Sequence, residues 1–192
     1  MRNVKGNVLF FCVLFLSGCG KYGPPMPPET LAPRPVKALE AEANLEGVKI
    51  SWRAPEADLR GRELKSMDGY KVERKVVDTE ASEEQPEFEE LTLIADQHVI
   101  QREILREQAR AENKPTHRVK VEDALKQFSY LDGQVENGKT YIYRIVPINQ
   151  GDVEGRYTQL VKVLFNGESS EVFVLGNVAE EPASEMFEED SY

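Results

Sequence analysis

Between Val36 and Phe165 apolar residues repeatedly alternate with polar ones. Alternation at period two marks a strand with one buried face. "GVKISWRAP" sets Val48, Ile50 and Trp52 against Lys49, Ser51 and Arg53, and Pro55 closes it. "DGYKVERKV" puts Tyr70, Val72 and Val76 on one face after a turn at Asp68-Gly69. "HRVKVED" alternates through Val119 and Val121, and "FSYLDGQV" follows as a further strand. "KTYIYRIVPIN" places Tyr141, Tyr143 and Ile145 opposite Ile142, Val146 and Ile148. "GRYTQLVKVLF" aligns Tyr157, Val161, Val163 and Phe165, and "NGESSEVFVLG" adds a strand through Val172 and Val174. Short strands separated by Gly, Asn and Asp turns predict a β-sandwich. Pro147 has no N–H to give a ladder, so a bulge or strand end is expected there.

One segment changes period. "ADQHVIQREILREQARAENKP" predicts a helix over about 96–113. Asp96 is its cap, Ile100, Ile104, Leu105 and Ala111 form its apolar stripe, and Pro115 stops it. That stripe predicts a helix packed across the sandwich; the alternative is a helix that faces a partner. The acidic run "DTEASEEQPEFEE" before it reads as a solvated loop.

The first eighteen residues follow neither pattern. A basic start, with Arg2 and Lys5, leads into the uncharged run Val8–Leu16. The run is too short to cross a bilayer and fits the core of a secretory signal peptide. "LSGC", Leu16-Ser17-Gly18-Cys19, resembles the bacterial lipoprotein signal. That resemblance implies cleavage after Gly18, a diacylglyceryl group on the Cys19 sulfur, and an N-acyl chain such as palmitate. Several acyl chains on one residue make a lasting membrane anchor where one does not. Gly20, rather than aspartate, follows Cys19, which by the same resemblance points to the outer membrane, facing the periplasm. Residues 19–35 carry Pro24, Pro25, Pro27, Pro28, Pro33 and Pro35 and read as an extended spacer of up to about 45 Å. "CGKYGPP" within it also resembles, loosely, the mature N-terminus of small lipoproteins of lipopolysaccharide-transport assembly.

The chain has 192 residues and a net charge of −10. Removal of residues 1–18 takes away two bases and leaves 22 bases against 34 acids. Such a surface opposes non-specific nucleic-acid binding and docking on anionic lipid. Cys12 and Cys19 are the only cysteines, so the remainder has no disulfide or thiolate metal site. His98 and His117 are the only histidines and lack ligand spacing for zinc. No phosphate loop, nucleophile elbow or HExxH occurs. No catalytic residue, metal or cofactor other than the covalent lipid is expected. The end, residues 166–192, reads as the extra strand and then an acidic tail with six acids and no base from Ala179, in which Phe187 is a possible anchor.

Within residues 36–165, "GVKISW", "GYKVERK" and "VENGKTYIYRIVPINQGDVEG" resemble a fibronectin type III domain. Trp52 matches the family's second-strand tryptophan. Val135, Gly138 and Tyr141 match its corner pattern, and Asn149-Gln150-Gly151 its loop between the last two strands. The resemblance implies an immunoglobulin-like sandwich in which Trp52 fills the core and the Tyr141 hydroxyl pins the corner. A helix is foreign to that family. The expected role is protein–protein interaction or scaffolding in the cell envelope, with an envelope protein as partner. The alternatives are a carbohydrate- or peptidoglycan-binding lipoprotein and an assembly factor for an outer-membrane machine.

Overall fold

A computed structural model describes residues 27–77 and 87–176. The signal and anchor residues Leu16, Ser17, Gly18 and Cys19, the greater part of the acidic run and the acidic tail with Phe187 lie outside the described residues.

Two antiparallel sheets form a sandwich. The first has the order β1-β2-β5, from Lys37–Asn44, Gly47–Arg53 and Gln127–Asp132. The second has the order β4-β3-β6-β8-β9, from Glu89–Ala95, Gly69–Val77, Thr140–Asn149, Gln159–Leu164 and Glu171–Gly176. The short β7, Val153–Glu154, pairs with β6. One helix, α1, runs His98–Ala111 between β4 and β5.

The inward-facing residues predicted by alternation make the core. Val48, Ile50, Tyr70, Val72, Tyr143, Val161 and Val163 are fully buried, with Trp52, Tyr141, Ile145 and Phe165 nearly so. Each large side chain of this kind contributes about 1.5–3 kcal/mol by burial. Trp52 stacks on Phe128 at 6.1 Å between centroids and meets Tyr70 edge-on at 5.6 Å.

Several expectations need correction. Val119 and Val121 form no strand. They lie between two short 3-10 turns, Thr116–Arg118 and Asp123–Lys126, although Val121 is buried. Besides the two-residue β7, two strands escaped the pattern. β1, "KALEAEAN", alternates Leu39, Ala41 and Ala43 inward, but alanine and glutamate favour helix and mask the period. β4 begins at Glu89 and Glu90, inside the run read as a loop.

Pro147 neither ends β6 nor bulges it, since its register with β3 is unbroken from Gly69↔Ile148 to Val77↔Thr140. What ends is the ladder on the other side, where β6 and β8 last pair at Tyr143↔Val161. On that side β7 pairs at Ile148↔Glu154 and Asn149↔Val153, and the Pro147 carbonyl accepts the Gly155 N–H at 2.7 Å, so the missing N–H falls where this short ladder stops. Gly155 is required there, because a Cβ would sit 2.5 Å from the Pro33 carbonyl oxygen and 2.7 Å from Pro147 Cγ.

The spacer is shorter than its prolines suggest. Residues 28–35 are part of the folded body. Ala32 and Pro33 are buried, Leu59 N–H bonds the Ala32 carbonyl at 2.9 Å, and Asn149 Nδ2 donates to the Leu31 carbonyl at 3.0 Å. The stretch left as spacer, 19–27, could reach at most about 25 Å rather than 45 Å.

Candidate interaction surfaces

The corner residues sit at one end of the sandwich. The Glu136 N–H donates to Tyr141 Oη at 2.9 Å, Val135 packs on the core, and Gly138 has φ +81°. That left-handed conformation lets the Gly138 N–H reach the Phe165 carbonyl at 2.8 Å. These contacts hold the turn between β5 and β6. Trp52 and Tyr141 are buried and Val135 is half-buried, so their roles are internal; Gly138 is exposed and serves the turn through its backbone conformation.

Two buried carboxylates organise the polar interior. Asp132 accepts from Tyr143 Oη at 2.9 Å, Arg74 Nη1 at 2.9 Å and the Gln134 N–H at 2.9 Å. Asp96 accepts from Tyr70 Oη at 2.6 Å, the His98 N–H at 2.8 Å and His98 Nδ1 at 2.7 Å. A carboxylate only accepts, so Nδ1 carries the proton in this pair. Burial, reinforced by the adjacent carboxylates, pushes both tyrosine hydroxyls well above their ordinary value, so they remain neutral donors. Burial works against the Arg74 charge, but Asp132 more than offsets it and raises its pKa.

The N-cap of α1 is Gln97, whose side chain makes no cap bond; Asp96, expected as the cap, lies one residue further out and accepts the His98 N–H from there. The buried face of α1 differs from the expected stripe. Ile100 and Ile104 are 59% and 44% exposed and Ala111 is exposed, while His98, Val99, Arg102 and Ala109 are buried. Those four also recur at helical spacing, but half of the stripe is polar. Arg102 donates to the Leu64 carbonyl, and Arg106 forks onto Glu63 at 2.9 and 2.7 Å. The helix therefore lies along the connection between β2 and β3, not across a sheet. Asn113 ends it with φ 55°, and the Lys114 N–H returns to the Ala109 carbonyl at 2.8 Å.

This arrangement leaves a groove of about 440 Å³ between α1 and residues 65–68. Met67, Val99, Ile100 and Ile104 give it an apolar wall, with Asp68 and Glu107 at its rim. Leu31, the folded end of the spacer, shares a neighbouring hollow with Lys65 and Ser66. A second apolar surface lies on the outer face of β8 and β9, where Phe173 and Leu175 are 50% and 41% exposed. Among the described residues no group of three His, Cys, Asp or Glu side chains could hold a metal ion, and no helix is long and apolar enough to cross a membrane.

The strand order defines the class: a fibronectin type III-like sandwich carrying one helix. No known protein-family pattern matches the chain, and no curated protein matches it. Solved structures do. One is the twitchin kinase region from C. elegans, at 15% identity and TM-score 0.41, over 71% of this chain; this chain spans 17% of that structure. Another is the third fibronectin III domain of the human KIAA0343 protein, at 10% identity and TM-score 0.39, over 82% of this chain and 93% of that one.

Proposed function

We propose that this protein is an exported bacterial lipoprotein, anchored through Cys19, that presents its sandwich as an interaction module to another protein of the cell envelope. It is not an enzyme in this reading. The observation that carries the interaction role is how the side chains are used. The Asp96 and Asp132 carboxylates are buried and take internal donors, among them His98 Nδ1 and Arg74 Nη1, whereas Ile100 and Ile104 stand exposed beside an apolar groove. Exposed apolar residues on a rigid framework are the usual basis of partner binding. The groove lies near the end of the spacer, so an anchor at Cys19 would hold it within some tens of ångströms of the bilayer.

Crosslinking and pull-down from intact cells tests this, with Cys19→Ala and Ile104→Glu beside the wild type. One stoichiometric envelope protein, captured by the wild type and lost from both variants, is the expected result. Membrane fractionation and incorporation of a palmitate analogue, each abolished by Cys19→Ala, test the anchor separately. Recovery of cell-wall fragments alone, or of nothing, would overturn the interaction role.

A further inference from the structure

We infer that the outer face of β8 and β9 is a docking surface for a second copy of this chain. Val161 and Val163 point into the core, so Leu160, Lys162 and Leu164 point outward. Their cross-strand partners share that face: Leu160 lies opposite Leu175, Lys162 opposite Phe173, and Leu164 opposite Glu171. Ile142 of β6 lies beside Lys162. The result is a patch of Ile142, Leu160, Leu164, Phe173 and Leu175 with one cation and one anion inside it. The adjoining part of the face is already closed, because the Arg144 guanidinium lies 4.1 Å from the centroid of Phe88 and 4.8 Å from that of Tyr157.

Charge decides the occupant. Lys162 and Glu171 are exposed diagonal neighbours, and neither has an ion pair among the described residues. A uniformly acidic or basic partner would set one of them against its like. A second copy related by a two-fold axis brings Lys162 of each to Glu171 of the other, with apolar residues meeting around them. Three strands at about 4.8 Å spacing and six residues at about 3.4 Å make a footprint of roughly 300 Å² per copy, in the class of weak, transient contacts. The net charge of −10 opposes approach. Screening over about 8 Å at physiological salt confines that repulsion, so pairing is set by the patch itself. The pairing does not require the anchor, although confinement to a membrane would raise the paired fraction.

The test places photoreactive benzoylphenylalanine at position 173 of the full chain, co-expressed as two differently tagged copies, with Leu93 at the opposite edge as control position. The expected product is an adduct of twice the chain mass carrying both tags, from position 173 only. Lys162→Glu and Glu171→Lys should each lower its yield several-fold, and the double exchange should restore it. An adduct confined to one chain, one formed with a different protein, equal yield from position 93, or a double variant no better than the singles would each overturn the inference.

Discussion

The sandwich buries an almost wholly apolar face, and the helix a mixed one. Between the sheets the contacts are made by Val, Ile, Tyr and Trp side chains in alternate positions, and the one charged pair there, Asp132–Arg74, is sealed by Tyr143. Under α1 Val99 joins the apolar core, but beside it His98, Arg102 and Arg106 reach Asp96, the Leu64 carbonyl and Glu63, while the two isoleucines face out. A sheet must bury apolar area because each strand alone has no stable form. This helix adds Val99 to the core but is otherwise held by hydrogen bonds and charge to a loop, which leaves Ile100 and Ile104 exposed. Attachment of that kind is weaker and more sensitive to pH than the sheet packing.

The contrast can be broken experimentally. Asp132→Ala should have the largest effect. It orphans the Tyr143 hydroxyl and leaves a mostly buried Arg74 with the Gln134 carbonyl and the more distant Glu89, and removing one partner of a buried pair costs about 3–5 kcal/mol. Urea denaturation measures it, and a loss below that of Asp96→Ala would reverse the ranking of the two regions. Asp96→Ala should cost about 2 kcal/mol, since Tyr70 and His98 lose an acceptor without a full buried charge being orphaned. Hydrogen exchange should then rise in residues 98–111 before it rises in β3 and β6; a uniform rise would show that the helix is not a separate unit.

A smaller effect follows from Glu63. The hydrogen bond from Arg106 holds its carboxyl below the usual glutamate range, against a lesser opposing effect of burial. The stability this contributes is complete above that range and is lost as pH falls through the lower folded value. Acid titration should therefore release α1 before the sandwich unfolds, and Glu63→Gln should remove that early transition. Tyrosine fluorescence and hydrogen exchange together report it. The smallest effect is expected for Ile104→Ser, within about 0.5 kcal/mol of the wild type, because the side chain is largely exposed already. A loss of 2 kcal/mol or more would mean that Ile104 belongs to the core.

The strands were legible in the sequence wherever a period-two pattern used residues that favour strands. Gly47–Arg53, Gly69–Val77 and Thr140–Asn149 are of this kind. β1 was hidden by its alanines and glutamates, and β4 by the acidic run that precedes it. His117 and Val121 show the converse: the alternation of "HRVKVED" is real, but no neighbouring strand edge receives it. The helix and the Asp96 carboxylate near its start were legible; its cap, Gln97, and its orientation were not. Hydropathy ranks Ile100 above Arg102, and nothing local reveals that a carbonyl at Leu64 and a carboxylate at Glu63 wait for the arginines.

By itself the sequence determined that the chain is a β-sandwich with one helix, because period and turn residues act over a few positions. It also carries the expectation of an anchor at Cys19, a property of covalent chemistry rather than of folding. Tertiary structure alone decided which face α1 buries, that residues 28–35 join the body, and that Lys162 and Glu171 share one apolar face. Each of these depends on groups far apart in the chain, and only their meeting in space sets which side chains are satisfied and which remain open to a partner.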